Sequence, residues 1–193
     1  MAKSIKISHD LMNNIPEFNL PNNNYTDSIA QQSYYINKIS QRLTIKLSRD
    51  ELVQQVTTSL MSSLNVDRVV LYYFYSQWKG QVTFECLSNI KYTILGSTGA
   101  DQCFTDEYAK MYLEGRFRVI DDIELEPISE CHREFLRSIM VRANLVVPVL
   151  TKDNRLWGLL VAHSCKDVKH WTDEDVELMH KGSKILADSP SIN

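Results

Sequence analysis

Val141-Arg142-Ala143-Asn144-Leu145-Val146-Val147-Pro148-Val149-Leu150 is followed by Thr151-Lys152-Asp153-Asn154-Arg155 and then by Leu156-Trp157-Gly158-Leu159-Leu160-Val161-Ala162-His163. Two apolar runs rich in β-branched residues flank a short polar connection, and the Asp-Asn pair supplies turn chemistry. The stretch predicts two strands, 141–150 and 156–163, joined as neighbours. Within the second, the run Leu159-Leu160-Val161-Ala162 loses the alternation of a half-exposed strand and ends on His163.

Working outward toward the C-terminus, Thr172-Asp173-Glu174-Asp175 opens a helix with a hydroxyl cap and three acids at its positive end. Val176, Met179, Ile185 and Leu186 give that helix, to about residue 187, its apolar side. Toward the N-terminus, Ile128 to Met140 reads as a helix starting near Ser129, and Arg118 to Ile120 as a short strand. Phe104 to Glu114 is helical and stops at Gly115. Ser88 to Gly99 has no clean period and reads as a long loop. Asp67 to Phe74 and Gln81 to Leu87 are a pair of strands. Leu52, Val56, Leu60 and Leu64 mark a helix over about 49–64, for which Ser48 and Glu51 have capping-box spacing. Thr26 to Leu47 is weakly helical, and the preceding residues, with Pro16, Pro21 and three asparagines, suit a loosely docked arm. Helix, two strands, a loop with helices, two strands and a helix predict an α+β fold: an antiparallel sheet with helices on its faces.

The chain has 193 residues, of which 44% are hydrophobic and 23% charged, enough for one domain with a substantial core. A formal net charge of -3 and the lack of a basic stripe give no reason to expect nucleic acid. No apolar run is long enough to span a membrane and no secretory signal opens the chain, which points to a cytoplasmic protein. The cysteines stand at 86, 103, 131 and 165, too far apart for a C-x-x-C pair, and a disulfide framework is not expected. Cys86 and Cys165 read as small buried hydrophobes.

Two cysteines have more telling neighbours. Asp101-Gln102-Cys103-Phe104 and Glu130-Cys131-His132, with the 141–148 and 156–163 runs, resemble the bilin-binding GAF domain of a cyanobacteriochrome, in particular the subgroup with an Asp-Xaa-Cys-Phe motif. The resemblance covers about residues 48–187, leaving 1–47 as an arm and connecting helix and 188–193 as a tail. It implies a GAF fold and a photoreceptor, not an enzyme. The implied cofactor is phycocyanobilin, or its isomer phycoviolobilin, covalently attached. Cys131 would form a thioether to ring A, with His132 contacting the pigment. A helix start favours the thiolate. Cys103 would add reversibly to the central methine carbon, cutting the conjugated system and moving absorption toward the blue. Asp101 would accept from pyrrole N–H groups, or simply cap the helix near Phe104. Arg116 matches a propionate-binding position. Arg142 either binds the other propionate or ends a strand at the surface. His163 is either a satisfied core histidine or a pigment contact. Trp157 reads as packing, and Tyr72, Tyr73 and Tyr75 are undecided between core and pocket rim. The loop Asn89–Ala100 has no tryptophan and departs from the resembled pattern, so the colours of the two states stay open.

Other readings are a GAF domain holding a small ligand such as a cyclic nucleotide without covalent attachment, a cysteine-based methionine-sulfoxide reductase of GAF fold, and a metal site at Cys131 and His132. The first two leave the bilin-type motifs unexplained, and the third lacks ligand spacing. No output module is recognisable, so the expectation is a sensor fragment of a larger receptor or a single-domain protein acting on a partner. The helices at about 26–64 and 172–187 would carry the signal, and their apolar sides could form a homodimer.

Overall fold

The computed structural model describes residues 25–76, 79–99, 111–112 and 114–193. The chain divides into two units, 1–35 and 36–193. In the first, the described residues belong to helix α1 (Tyr25–Ser48); the sheet and the remaining helices belong to the second.

Among the described residues five strands form one antiparallel sheet: β1 (Arg68–Ser76), β2 (Lys79–Leu87), β3 (Arg118–Ile120), β4 (Ala143–Leu150) and β5 (Leu156–Ser164), in the order β2-β1-β5-β4-β3. Helices α2 (Glu51–Ser63), α3 (Glu130–Ser138) and α4 (Asp173–Leu186) accompany it. The expected β4–β5 hairpin is present, and Asn154 takes the positive φ of 60° in its turn.

Both faces of the central strands are covered, which is why β4 and β5 read as continuous apolar runs. On one face Val69, Leu71, Leu145, Val147, Leu160 and Ala162 pack with Val53, Val56 and Leu60 of α2 and Met179 and Leu186 of α4. On the other, Val70, Val82, Val146, Leu159 and Val161 form a separate apolar patch with Tyr112. The period of two thus divides each strand between a helix-backed core and a second face. Trp157 packs in the helix-backed core, its ring 5.2 Å from that of Tyr73. Tyr72 belongs to the second face.

Several local expectations need correction. The N-cap of α2 is Asp50, whose Oδ1 accepts from the amides of Leu52 (3.1 Å) and Val53 (3.2 Å). Ser48 cannot cap because α1 runs through it; its hydroxyl donates back to the Ile45 carbonyl. The segment expected as an open loop holds a 3-10 turn over Ile90–Tyr92, and Thr98 pairs with Gln81 of β2. There the Glu85 carboxylate accepts from the Ile94 amide at 2.9 Å. The apolar sides of α2 and α4, expected to offer a dimer surface, face the core; on α1, Ile39 and Ile45 are exposed. The residues after α4 pack inward: Ile192 joins the core, and Ser189 and Ser191 donate to Asp50 Oδ2 at 2.7 and 2.6 Å. Among the described residues no helix is long and apolar enough to cross a membrane.

Candidate functional site

The second face of the sheet is the floor of a cavity. Val70, Tyr72, Val146, Leu159 and Val161 form its apolar base, and Ile128, Phe135, Leu136 and Ile139, on and beside α3, form a wall. Ile94, Ser97, Thr98 and Gly99 close another side. The Gly99 amide donates to the Tyr72 hydroxyl at 3.0 Å, and a Cβ there would lie 2.8 Å from that oxygen, so a larger residue would displace the Tyr72 ring. The polar groups lining the cavity include Arg116, Arg118, His132, Asn144 and His163.

Three polar residues form a row across the strands. Asn144 of β4 stands opposite His163 of β5, which stands opposite Arg68 of β1. Arg68 has no measurable exposure. Its Nε donates to His163 Nδ1 at 3.0 Å, and its two terminal nitrogens donate to the carbonyls of Tyr92 and Ile139. A permanently protonated guanidinium leaves His163 Nδ1 only the acceptor role, so the neutral ring carries its proton on Nε2. Burial, and then the charge of Arg68, hold the His163 pKa well below the usual range. Burial likewise pushes the Arg68 pKa down. His163 is therefore both a bonded core residue and part of the cavity wall, and the two readings offered by the sequence are compatible.

Helix α3 brings the Cys131-His132 pair to the rim. Ser129 caps it, accepting from the His132 amide at 3.3 Å, which places Cys131 in the first turn. Cys131 is exposed, whereas His132 is half-buried and lines the cavity. Burial and the nearby charge of Arg118 lower the His132 pKa. Cys86 and Cys165 are free thiols, but Cys131 is disulfide-bonded, against the expectation of unpaired cysteines.

Of the expected cations, Arg116 lines the cavity and Arg142 does not. Arg142 is bridged to Asp122 at 2.7 Å. Arg118, which the sequence did not single out, lines the cavity and is bridged to Glu126 at 2.7 Å. Asp101, Cys103 and Phe104 lie outside the described residues, as does most of the helix expected over 104–114; Met111 and Tyr112 are helical. Sequence reasoning also missed Asn144 and Arg68. The one available signal was a polar residue in each of two apolar strand runs.

The family model for the GAF domain matches residues 48–187. An uncharacterized protein of Picosynechococcus sp. is 49% identical over 79% of this chain and 93% of its own length. The blue-light absorbing form of the Thermosynechococcus elongatus PixJ GAF domain is 31% identical, covers 70% of this chain and 83% of its own, and superposes with a TM-score of 0.62. The circadian input-output histidine kinase CikA of Synechocystis sp. is 28% identical over 86% of this chain, which spans 25% of that protein. A further solved domain of this fold holds biliverdin. The chain belongs to the GAF domain family, and its structural neighbours are cyanobacteriochrome GAF domains.

Proposed function

We propose that this chain is a light-sensing domain that carries a linear tetrapyrrole in the cavity, bound through Cys131. The observation that carries the reading is the cavity itself. Its apolar base is edged by cationic and hydrogen-bonding groups, with Cys131 in the first turn of the helix that walls it. A bilin has the matching distribution: a flat apolar body, two propionates and polar ring edges. Arg116 and Arg118 are the propionate partners, because a guanidinium fork suits a carboxylate. Arg142, which does not line the cavity, is the weaker candidate. His132 and His163 contact the pigment.

Attachment is an addition. The Cys131 thiolate bonds to a carbon of an unsaturated side chain on ring A, and a proton completes the neighbouring carbon, with no net oxidation. It needs the free thiol, so the disulfide must first be reduced. Cys103 adds in the same way to the central methine and leaves by the reverse elimination, giving a blue-absorbing and a longer-wavelength state. Asp101 pairs with the pyrrole N–H groups, and Phe104 packs beside the ring system. The pigment is phycocyanobilin, partly isomerised to phycoviolobilin, and light turns the double bond before ring D. The strands under the pigment back directly onto α2 and α4, so a shift in the cavity reaches those helices through one layer of side chains. A downstream signalling domain or protein reads that shift.

The test is production of the chain with phycocyanobilin-forming enzymes, in reductant. A zinc-stained denaturing gel and absorption spectra before and after blue light are the readouts. A covalent, photoreversible pigment is expected; a colourless chain with Cys131 reduced would contradict the reading.

A further inference from the structure

Arg118, which lines the cavity and pairs in register with Val146 of its base, already holds a carboxylate of the chain itself. Its Nη2 donates to Glu126 Oε1 at 2.7 Å, with the two side chains 24% and 25% exposed. Among the described residues neither side chain has another hydrogen-bond or ion-pair partner.

The neighbouring acids are held differently. Glu124 and Glu130 share Arg137, Glu130 also meets Arg133, and Asp122 holds Arg142. The backbone of Glu126 is pinned on both sides. Its amide donates to the Asp122 carbonyl at 3.0 Å, and its own carbonyl accepts from the Ile128 amide at 2.8 Å and from Arg133 at 3.2 Å. The carboxylate is therefore the part of this segment that can leave while the segment stays in place.

A ligand carboxylate that reaches Arg118 meets this arrangement. One guanidinium balances one carboxylate, and two carboxylates crowded on it in a partly buried site repel each other. A guanidinium fork grips a well-placed carboxylate through two parallel bonds, whereas Glu126 is held by Nη2 alone. The ligand's carboxylate is the better partner, and Glu126 gives way. The charge of Arg118 is felt at His132, beside Cys131, so the exchange takes place within reach of the attachment helix.

We infer that Glu126 is a specificity-determining residue of the cavity: its carboxylate occupies Arg118 in place of a ligand's, and a ligand gains that cation only by bringing a carboxylate that displaces it. The inference rests on the cavity holding a bilin, whose propionate is the displacing group.

The test measures the rate of covalent attachment to the reduced full chain against pigment concentration, by zinc-stained gel, for phycocyanobilin and for its dimethyl ester. Glu126→Gln keeps the shape and removes the competing charge. With the diacid it should lower the half-saturating pigment concentration about fivefold, the size of a partly exposed ion pair, and leave the limiting rate unchanged. With the diester it should change neither. In an Arg118→Gln chain the same substitution should bring no gain, because the contested cation is gone. Difference infrared spectra of loaded minus unloaded wild type should show a shifted carboxylate band that Glu126→Gln lacks. No gain with the diacid, or an equal gain with the diester or in the Arg118→Gln chain, would overturn the inference while the bilin reading stands. A reduced wild-type chain that attaches no bilin would overturn both.

Discussion

Arg68 Nε lies 3.0 Å from His163 Nδ1, across a strand pair whose partners are 95 residues apart in the chain. This contact fixes the tautomer of His163, while burial, and then the Arg68 charge, lowers its pKa. The linkage has a definite sign. The folded pKa is below the unfolded value of about 6.5, so the unfolded chain binds more protons under mildly acidic conditions. The stabilisation is complete above about pH 6.5 and declines as the pH falls below it. Urea unfolding of the pigment-free chain at pH 7.5 and pH 5.5 should give a lower midpoint at pH 5.5. In His163→Gln the part of that difference due to His163 should vanish. An unchanged pH difference in the variant would place the proton uptake elsewhere.

Arg68→Met should be costly. Loss of the guanidinium leaves His163 Nδ1 and the Tyr92 and Ile139 carbonyls without their donor in the interior. The expected destabilisation is on the order of 3 kcal/mol, read as a drop in urea midpoint at constant slope. Nitrogen NMR of the imidazole should show a single Nε2–H tautomer in wild type and a mixture in any folded Arg68 variant.

Asp50 joins the start of α2 to the segment after α4. Burial alone would raise its pKa, but hydrogen bonds from Ser191, Ser189 and the Val53 and Leu52 amides outweigh it and hold the carboxyl below its ordinary value. Its contribution is present above the unfolded pKa of about 3.9 and is lost as the pH falls through the lower folded one. Asp50→Ala should cost about 1–2 kcal/mol at neutral pH through the cap alone. Hydrogen exchange at residues 189–193 should accelerate, and an unchanged rate there would mean the serines hold the segment without Asp50.

The cysteine variants separate the proposed bonds. Cys131→Ala should abolish pigment that survives denaturation. Cys103→Ala should keep covalent pigment and lose the short-wavelength state; if the same short-wavelength band persisted, the second thioether would be excluded. Asp101→Asn should weaken or shift the absorption, and an unaltered spectrum would return Asp101 to a capping role.

The sequence made the hairpin and the three sheet-packed helices legible because each carries its own local pattern. Leu52, Val56, Leu60 and Leu64 repeat at helical spacing, and Asp153-Asn154 marks the turn. The place of α2's cap was not legible, since Ser48 and Asp50 are both good caps and only the length of α1 chooses between them. The apolar run Leu159–Ala162 hid which residues face the cavity; the sheet order assigns Leu159 and Val161 to one face and Leu160 and Ala162 to the other. That Asn144, His163 and Arg68 fall into one row was not legible, because it depends on β5 lying between β4 and β1. Arg142, read as either a propionate partner or a surface strand end, is bridged to Asp122 and does not line the cavity.

The most direct measurement is the absorption spectrum of the reduced chain produced with phycocyanobilin-forming enzymes, taken before and after blue light and after a return to darkness. The predicted result is a covalently coloured protein whose short-wavelength band gives way reversibly to a longer-wavelength one. A reduced, folded chain that remains colourless and unstained by zinc would contradict it and turn attention to a non-covalent ligand in the same cavity.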